Sequence, residues 1–302
     1  MTQIIVAMNK LEATDYDEVR YDEIKEQVLP FLIKQGFKKA DIMFVPISGL
    51  KGENLIEKST DPNLVKWYGA DSPSLVDILD GLRLPERKFV RPLRASVSAY
   101  FKAATGNLIG DCFKVKVETG VLKSSKEPIL LMPENVQVQI KGMLSEDEEE
   151  IPYALAGTIC TVGVKLPADY DTNHEQKGAV FCDPQYPIKY VRTFVCRVVV
   201  YEIPKELNGG KISKGEKVTI HSYTNYSAGQ CKSLLSTVDQ KTGEPIKQKP
   251  KFLVPGMFAD IKIRLDERRC LELFSNFPAM GRIVLRTGSY TIAAGRIISF
   301  VN

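Results

Sequence analysis

From Arg91 onward the chain shows no long helical pattern. It is a succession of short runs, LRASVSAYF, CFKVKVETG, PILLMP, VQVQIKGML and TICTVGVKL, punctuated by Gly, Pro and charged turns. CFKVKVE and VQVQIKG alternate apolar and polar residues with period two, which puts one face in a core and the other in water. A second set follows Pro187: YVRTFVCRVVVYEI, KVTIHSY, CKSLLSTVD, FADIKIRL, RCLELF, GRIVLRTG and TIAAGRIISFV. Many short strands at regular spacing predict barrels. FCDPQYPIKYVR, with its two prolines, marks the border between two all-β units.

The front of the chain has a different texture. Ile4, Ile5, Val6, Ala7 and Met8 read as a strand buried on both faces, as in a parallel sheet. DYDEVRYDEIKEQVLPFLIKQGF reads as a helix in which Tyr21, Ile24, Val28 and Phe31 form one apolar face. Asp15 and Asp17 suit its N-terminal region and Gly36 its end. Pro30 predicts a kink or two shorter pieces. DIMFVPISGLKGENL supplies a second strand, ending at Pro46, Ser48, Gly49 and Leu50. After the polar stretch STDPNLVKWYGADS, a short helix is predicted from Pro73 to Asp80, capped by Ser72. Strand, helix, strand, helix is half of a doubly wound domain.

Length and composition narrow the class. At 302 residues, two to three domains are expected. A charged fraction of 26% and a hydrophobic fraction of 44% are ordinary for a globular protein. The net charge of +4 permits an RNA-rich partner without indicating one. Cys112, Cys160, Cys182, Cys196, Cys231 and Cys270 stand far apart in strand-like runs, the pattern of buried free thiols in a reducing compartment. His174 and His221, the only histidines, have no close Cys partner, which argues against zinc. No apolar stretch of membrane-spanning length and no signal-like start occur, so a soluble intracellular protein with no membrane partner is expected. SEDEEE at 145–150 reads as a solvated loop. No Ser-His-Asp, metal or carboxylate-pair constellation appears.

The residues with chemistry cluster just past the first strand. Asn9, Lys10 and Glu12 fall at its carboxyl end, where α/β folds place ligands. A carboxylate there can accept both N–H donors on the edge of a guanine. The Asn amide can bridge purine atoms and neighbouring loops, and the Lys stem can lie along the ring. The plain alternative is a turn after a strand. Elsewhere, Lys241, Lys247, Lys249 and Lys251 make a basic strip around a Thr-Gly-Glu-Pro turn. It suits RNA phosphates, an edge-strand defence or a solvated hairpin tip. Arg282 and Arg286 share one strand face, which suits a barrel surface or an interdomain role. Tyr223, Asn225 and Tyr226 suit a partner surface or local cover of a turn.

In order along the chain, these pieces resemble translational GTPases of the elongation-factor-1-alpha type, beginning partway through the G domain. MNKLE at 8–12 resembles the guanine-specificity motif and PISGLKG at 46–52 the second base-contacting loop. TGEPIKQKPKF, CLELF, FPAMGRIVLR and TIAAG resemble the final barrel. Within the family, ISGLKGENL, DPNLVKWYGADSPSLVDILD and KPKFL are most similar to the ribosome-rescue GTPases that partner Pelota. The termination GTPase shares the CDP and TGE segments, and elongation factor 1 alpha itself fits less well.

The resemblance implies an α/β partial G domain over 1–88, an incomplete P-loop GTPase sheet. It also implies two all-β barrels, domain II over 89–187 and domain III over 188–302. Asn9 and Lys10 would contact the base, and Glu12 would stand where the family has aspartate, weakening guanine specificity. Ser48, Gly49 and Leu50 would supply the backbone amide that reads the base oxygen. GTP or GDP with magnesium is implied for the full-length protein, along with a Pelota-type release-factor-like partner held by the barrels, the ribosome, a monomeric state and the cytoplasm. No GxxxxGK[ST] occurs, and the nearest glycine-rich string, ATGNLIGD, has no lysine. This chain alone is therefore expected to bind GTP weakly if at all and not to hydrolyse it. A truncation with a fragile first 80 residues is the favoured account. A self-sufficient, non-catalytic binding module is the other.

Overall fold

The structure, a computed structural model, describes residues 3–34, 37–83, 87–104, 108–125, 127–168, 170–171, 177–240 and 242–301. Gly36, His174 and Lys241 lie outside the described residues. Two compact units divide the chain, Met1–Glu86 and Arg87–Asn302.

In the first unit, β1 (Ile4–Met8) and β2 (Ile42–Pro46) run parallel, in register from Ile4 opposite Ile42 to Met8 opposite Pro46. The sequence predicts a β1 buried on both faces, and here the structure differs. Only Met8 is buried and Ala7 is exposed, because β2 is the sole strand paired with β1 among the described residues. Between them α1 (Glu18–Lys34) starts where Asp17 Oδ1 accepts from Val19 N at 3.2 Å. The helix runs through Pro30 without a break. Leu32, buried just beyond, anchors the turn that the proline weakens. Phe31 is 59% exposed, so the buried face continues from Val28 to Leu32 and not to Phe31.

The stretch read as polar and irregular contains a helix, α2 (Pro62–Tyr68). Asp61 caps it, accepting from Asn63 N at 2.9 Å, and Pro62 suits its first turn. Leu64 is fully buried, and Trp67 Nε1 donates to Tyr16 O at 2.7 Å. The next helix, α3 (Leu75–Asp80), is capped by Ser74 instead of Ser72. Ser74 Oγ accepts from Asp77 N at 3.2 Å, and Asp77 Oδ2 accepts from Ser74 N at 3.0 Å. This reciprocal box outcompetes the Ser-Pro signal because it satisfies two helix-end donors.

These caps make the first unit acid-sensitive. The Ser74 amide and hydroxyl hold Asp77 below the usual carboxylate range. Ser59, with the amides of Thr60 and Asp61, does the same for Glu53, and the Ser48 hydroxyl for Glu12. A carboxylate depressed on folding contributes stability above its unfolded value and loses it as pH falls through the folded one. The unit is therefore expected to lose stability progressively below about pH 4. Trp67, the single tryptophan, reports on this unit. Its fluorescence should begin to change there, and an emission spectrum flat down to about pH 2 would contradict the reading.

In the second unit, six strands close a ring: β3 (Arg94–Ala103), β4 (Gly110–Thr119), β6 (Ile129–Met132), β7 (Val136–Leu144), β9 (Ile159–Lys165) and β10 (Val180–Cys182). Around the ring the order is β10, β3, β4, β9, β7, β6, and β6 pairs back to β10. A small ribbon of β5 (Val121–Lys123) and β8 (Tyr153–Leu155) lies outside it. The alternation read in β4 and β7 points Phe113, Val115, Val138 and Ile140 inward, and Phe113 meets Phe181 edge-on at 5.2 Å.

The second ring comprises β11 (Lys189–Val200), β13 (Lys217–Ser222), β14 (Asn225–Val238), β17 (Phe258–Leu271), β18 (Arg282–Thr287) and β19 (Tyr290–Val301). Pairing of β13 with both β14 and β18 closes it. β15 (Pro245–Gln248) attaches to β14, while β12 (Ile212–Ser213) pairs with β16 (Phe252–Leu253). FADIKIRL and the start of RCLELF, read as separate runs, share one continuous strand, β17, which ends at Leu271; the polar DERR between them hides the continuity. All six cysteines are free and buried, as the sequence suggests.

The two barrels share a core. Leu130, Met132, Val180, Cys182 and Ile188 pack with Cys270, Phe277 and Met280. Beside it Arg94 Nε donates to Glu272 Oε1 at 2.7 Å, with side chains only 4% and 6% exposed, and the Phe277 ring lies 4.5 Å from the guanidinium. Tyr223 is part of this junction. Its hydroxyl donates to Cys270 O at 2.6 Å with Gly178 O at 3.1 Å, so it covers the seam between the barrels. Tyr226, by contrast, is half exposed.

Candidate functional site

Parallel pairing delivers both candidate loops to one end of the two-stranded sheet. Since Met8 lies opposite Pro46, the residues that follow each strand meet directly. Ile47 N donates to Met8 O at 2.9 Å, and Asn9 Oδ1 accepts from Gly49 N at 2.8 Å and from its neighbour Lys10 N at 2.7 Å. The Asn9 carboxamide thus ties the NKLE loop to the SGLKG loop. Lys10 turns the chain with a left-handed φ of 66°, leading into a short 3-10 turn, Leu11–Thr14, whose Leu11 is buried. A Cβ on Gly49 would come within 3.3 Å of the Asn9 carboxamide, so the close approach of the loops favours glycine there.

Ser48 is fully buried and organises the floor. Its backbone exchanges two 3.1 Å hydrogen bonds with Glu53, closing the 48–53 loop, and Ser48 Oγ accepts from Lys51 N at 3.2 Å. The same hydroxyl, helped by Lys51 and Lys10, holds the Glu12 carboxyl below its usual range. Glu12 Oε2 is sealed from solvent and has no hydrogen-bond partner, and the same is true of the neighbouring Tyr16 hydroxyl. Burial raises the Tyr16 phenol above its ordinary value. Asn9 with Gly49 and Glu12 with Ser48 are therefore brought together; Asn9, Lys10, Gly49 and Leu50 are exposed, Leu50 at 85%, and Ser48 is buried beneath them. The Gly49 amide, a candidate reader of a base oxygen, is already engaged by Asn9.

Sequence reading overlooked Tyr16, Glu53 and Asn54. Glu53 Oε1 accepts from Ser59 Oγ at 2.5 Å and Thr60 N at 2.9 Å, pinning the segment before α2. Asn54 Nδ2 donates to Pro46 O at 2.8 Å. The available signal was the polar run GEN directly after the SGLK turn.

On the barrels, Lys247 stands on β15, the outermost strand of its sheet, and Lys249 and Lys251 follow it; all three are exposed. Among the described residues none of the three is in an ion pair. Arg282 and Arg296, opposite each other on β18 and β19, lie 5.8 and 5.5 Å from the Phe274 ring, and Arg286 Nη2 donates to Ser289 O at 2.7 Å. Both arginines of GRIVLR thus lie on the barrel surface. Among the described residues no group of three or more His, Cys, Asp or Glu could hold a metal, and no helix is long and apolar enough to cross a membrane.

A two-stranded parallel sheet carrying NKLE and SGL loops, together with two closed six-stranded antiparallel rings, is the architecture of a translational GTPase's later portion. Residues 193–298 match the family model described as GTP-eEF1A C-terminal domain-like. The chain is 33% identical over 297 residues to Protein HBS1 of Drosophila melanogaster, covering 98% of this chain and 42% of that protein. It is 33% identical over 307 residues to Elongation factor 1-alpha of Methanopyrus kandleri, covering 98% of this chain and 68% of that protein. The chain belongs to the elongation-factor-1-alpha-like family of translational GTPases, and it spans less than half the length of the HBS1 relative. The fold is shared with the GTP-bound Ski7 GTPase-like domain of S. cerevisiae, at a TM-score of 0.72 and 17% identity over 98% of this chain and 64% of that one. Sup35 complexed with GDP gives 0.62 and 24% over 100% and 70%.

Proposed function

We propose that this chain is the later part of a translational GTPase that acts in ribosome rescue and mRNA surveillance, in the cytoplasm, with a Pelota-type release-factor-like partner. On this reading 1–88 is the end of the G domain, and 89–187 and 188–302 are domains II and III, which hold the partner. The observation that carries it is the similarity to Protein HBS1 along 98% of the chain, with the NKLE and SGL loops tied together by Asn9.

Asn9, Lys10, Glu12, Ser48, Gly49 and Leu50 form the base-recognising half of a GTP or GDP site. The charged Glu12 carboxylate on a buried serine suits the N–H edge of guanine. When bound in the full-length protein, GTP with magnesium supplies the phosphoryl chemistry. The residues present here position the base and hold no phosphate-binding motif. Lys247, Lys249 and Lys251, with Lys241, suit contact with ribosomal RNA or the partner.

The test is calorimetric titration of the 302-residue chain against Pelota, against the stop-codon-reading release factor and against GTP. Binding to Pelota with no measurable GTP heat is expected. Preference for the release factor would assign the chain to termination, and tight GTP binding would overturn the division of the nucleotide site.

A further inference from the structure

On the outer face of the second barrel three arginines stand in a row across three neighbouring strands. Arg282 of β18 lies directly opposite Arg296 of β19, and Arg296 lies opposite Arg197 of β11. Like charges placed directly opposite each other work against a sheet. Arg197 is neutralised: its guanidinium donates twice to Asp260, Nε to Oδ1 at 2.8 Å and Nη2 to Oδ2 at 3.0 Å. Arg282 and Arg296 are exposed, and among the described residues neither is in an ion pair. What they share is the Phe274 ring, whose centre lies 5.8 and 5.5 Å from the two guanidiniums.

The three arginines and Phe274 line a cavity of about 420 Å³. Small residues leave room in it. Gly295 of β19 brings no side chain, and at Gly243, in the turn after β14, a Cβ would come within 2.8 Å of Arg197 Nη1. The one carboxylate on the wall among the described residues is Asp239, and its Oδ1 accepts from Thr242 N at 2.8 Å. The wall is therefore positive, with two guanidiniums that no acid answers. Guanidinium forks match the oxygens of a phosphate in paired hydrogen bonds. A dianion meets both charges at once and cancels their repulsion. A carboxylate or a phosphodiester brings a single charge and leaves one guanidinium uncompensated.

We infer that Arg282 and Arg296, side by side over Phe274, form a binding site for the dianion of a small phosphomonoester. Arg282 and Arg296 hold the phosphate oxygens. Phe274 and the Asp260-bound Arg197 fix the shape of the hollow that receives them.

The test titrates three anions into the whole chain at constant ionic strength and about pH 8, where a monoester carries both charges. Methyl phosphate represents the monoester, dimethyl phosphate a nucleic-acid backbone and acetate an acidic side chain. The Nε–H signals of Arg282 and Arg296 are followed by nitrogen–proton NMR. Methyl phosphate is expected to shift both and to bind at least about fivefold more tightly than either monoanion. Arg282→Gln and Arg296→Gln should each weaken it about tenfold, by loss of a charge-assisted pair. Lys123→Gln removes the same charge from the exposed end of β5 and should change the affinity less than about twofold. The ranking of anions on the unaltered chain does not depend on any variant folding. Equal affinity for all three anions, or an equal loss in Lys123→Gln, would mean a diffuse positive field and overturn the inference. Tighter binding of dimethyl phosphate or of acetate would also overturn it, turning the surface toward a nucleic acid or an acidic protein. So would the absence of any shift at the two arginines.

Discussion

Replacing Arg94 with leucine is expected to destabilise the unit Arg87–Asn302 by about 3–5 kcal/mol, the range found when one partner of a buried ion pair is removed. Arg94 opens β3 of the first barrel and Glu272 follows β17 of the second, so the 2.7 Å contact ties one ring to the other. The guanidinium also donates to Leu93 O at 2.9 Å and lies over Phe277. Burial already pushes the Glu272 carboxyl above its usual range, with Arg94 opposing that rise. Without the arginine, the glutamate is left as a buried charge with only the weaker attraction of Lys189 to oppose its burial.

The pH dependence gives the prediction its sign. An acid whose folded value lies above its unfolded one contributes most below the unfolded value and loses that contribution as pH rises through the folded one. The Arg94→Leu deficit should therefore be large at pH 7 and smaller at about pH 5, because protonating the raised carboxyl becomes easier as pH falls. Urea unfolding of both proteins at the two pH values measures this. A companion double variant, Arg94→Leu with Glu272→Leu, should recover most of the loss, because two apolar side chains leave no buried charge. A single variant within about 1 kcal/mol of the parent would contradict the account, and so would a deficit independent of pH.

Gly295→Ala is expected to prevent the second barrel from closing, at a cost above about 4 kcal/mol. Gly295 lies on β19 opposite Val198 of β11. A Cβ there would sit 2.7 Å from Val198 Cα and overlap the Arg197 carbonyl outright. Both obstacles are backbone. β11 is held on its other side by β17, so it cannot step aside without breaking a second ladder. The comparison is Gly256→Ala, whose Cβ meets nothing within 4 Å but whose φ is +84°. It should cost only about 1–2 kcal/mol, the left-handed penalty alone. Thermal melts followed by far-ultraviolet circular dichroism separate the two, and equal losses would mean the close approach is not what excludes a side chain at Gly295.

The sequence carried the barrels well and the front unit less well. Period-two alternation in CFKVKVE and VQVQIKG survives in the structure because each such strand has one face in a ring and one in water. β17 was harder, since its DERR segment is exposed on a strand that is buried elsewhere. At the front, α2 was hidden by its polar residues. Asp61-Pro62 is a helix-start signal, but a seven-residue helix shows too little periodicity to reveal itself. Phe31 misled for a physical reason: one turn of helix offers both the third and the fourth residue to a core, and packing chose Leu32. At the candidate site the residue types were legible from the motif spacing. What holds the Glu12 carboxyl low was not, because Ser48 and Lys51 come to it from the loop after the second strand.

The order of strands around each ring also sets when each ring can form. The first barrel uses strands between Arg94 and Cys182 and can close once Cys182 is available. In the second, β19 is the last of the ring's strands to be synthesised and pairs with β11, the first, so no closed ring exists before β19 is made. During synthesis the first barrel would therefore stand complete with Arg94 still waiting for Glu272, 178 residues further on. Its seam face, Leu130, Met132, Val180 and Cys182, would meanwhile be uncovered. In that interval the nascent chain carries more exposed apolar surface than the finished one, the condition under which partly folded chains aggregate.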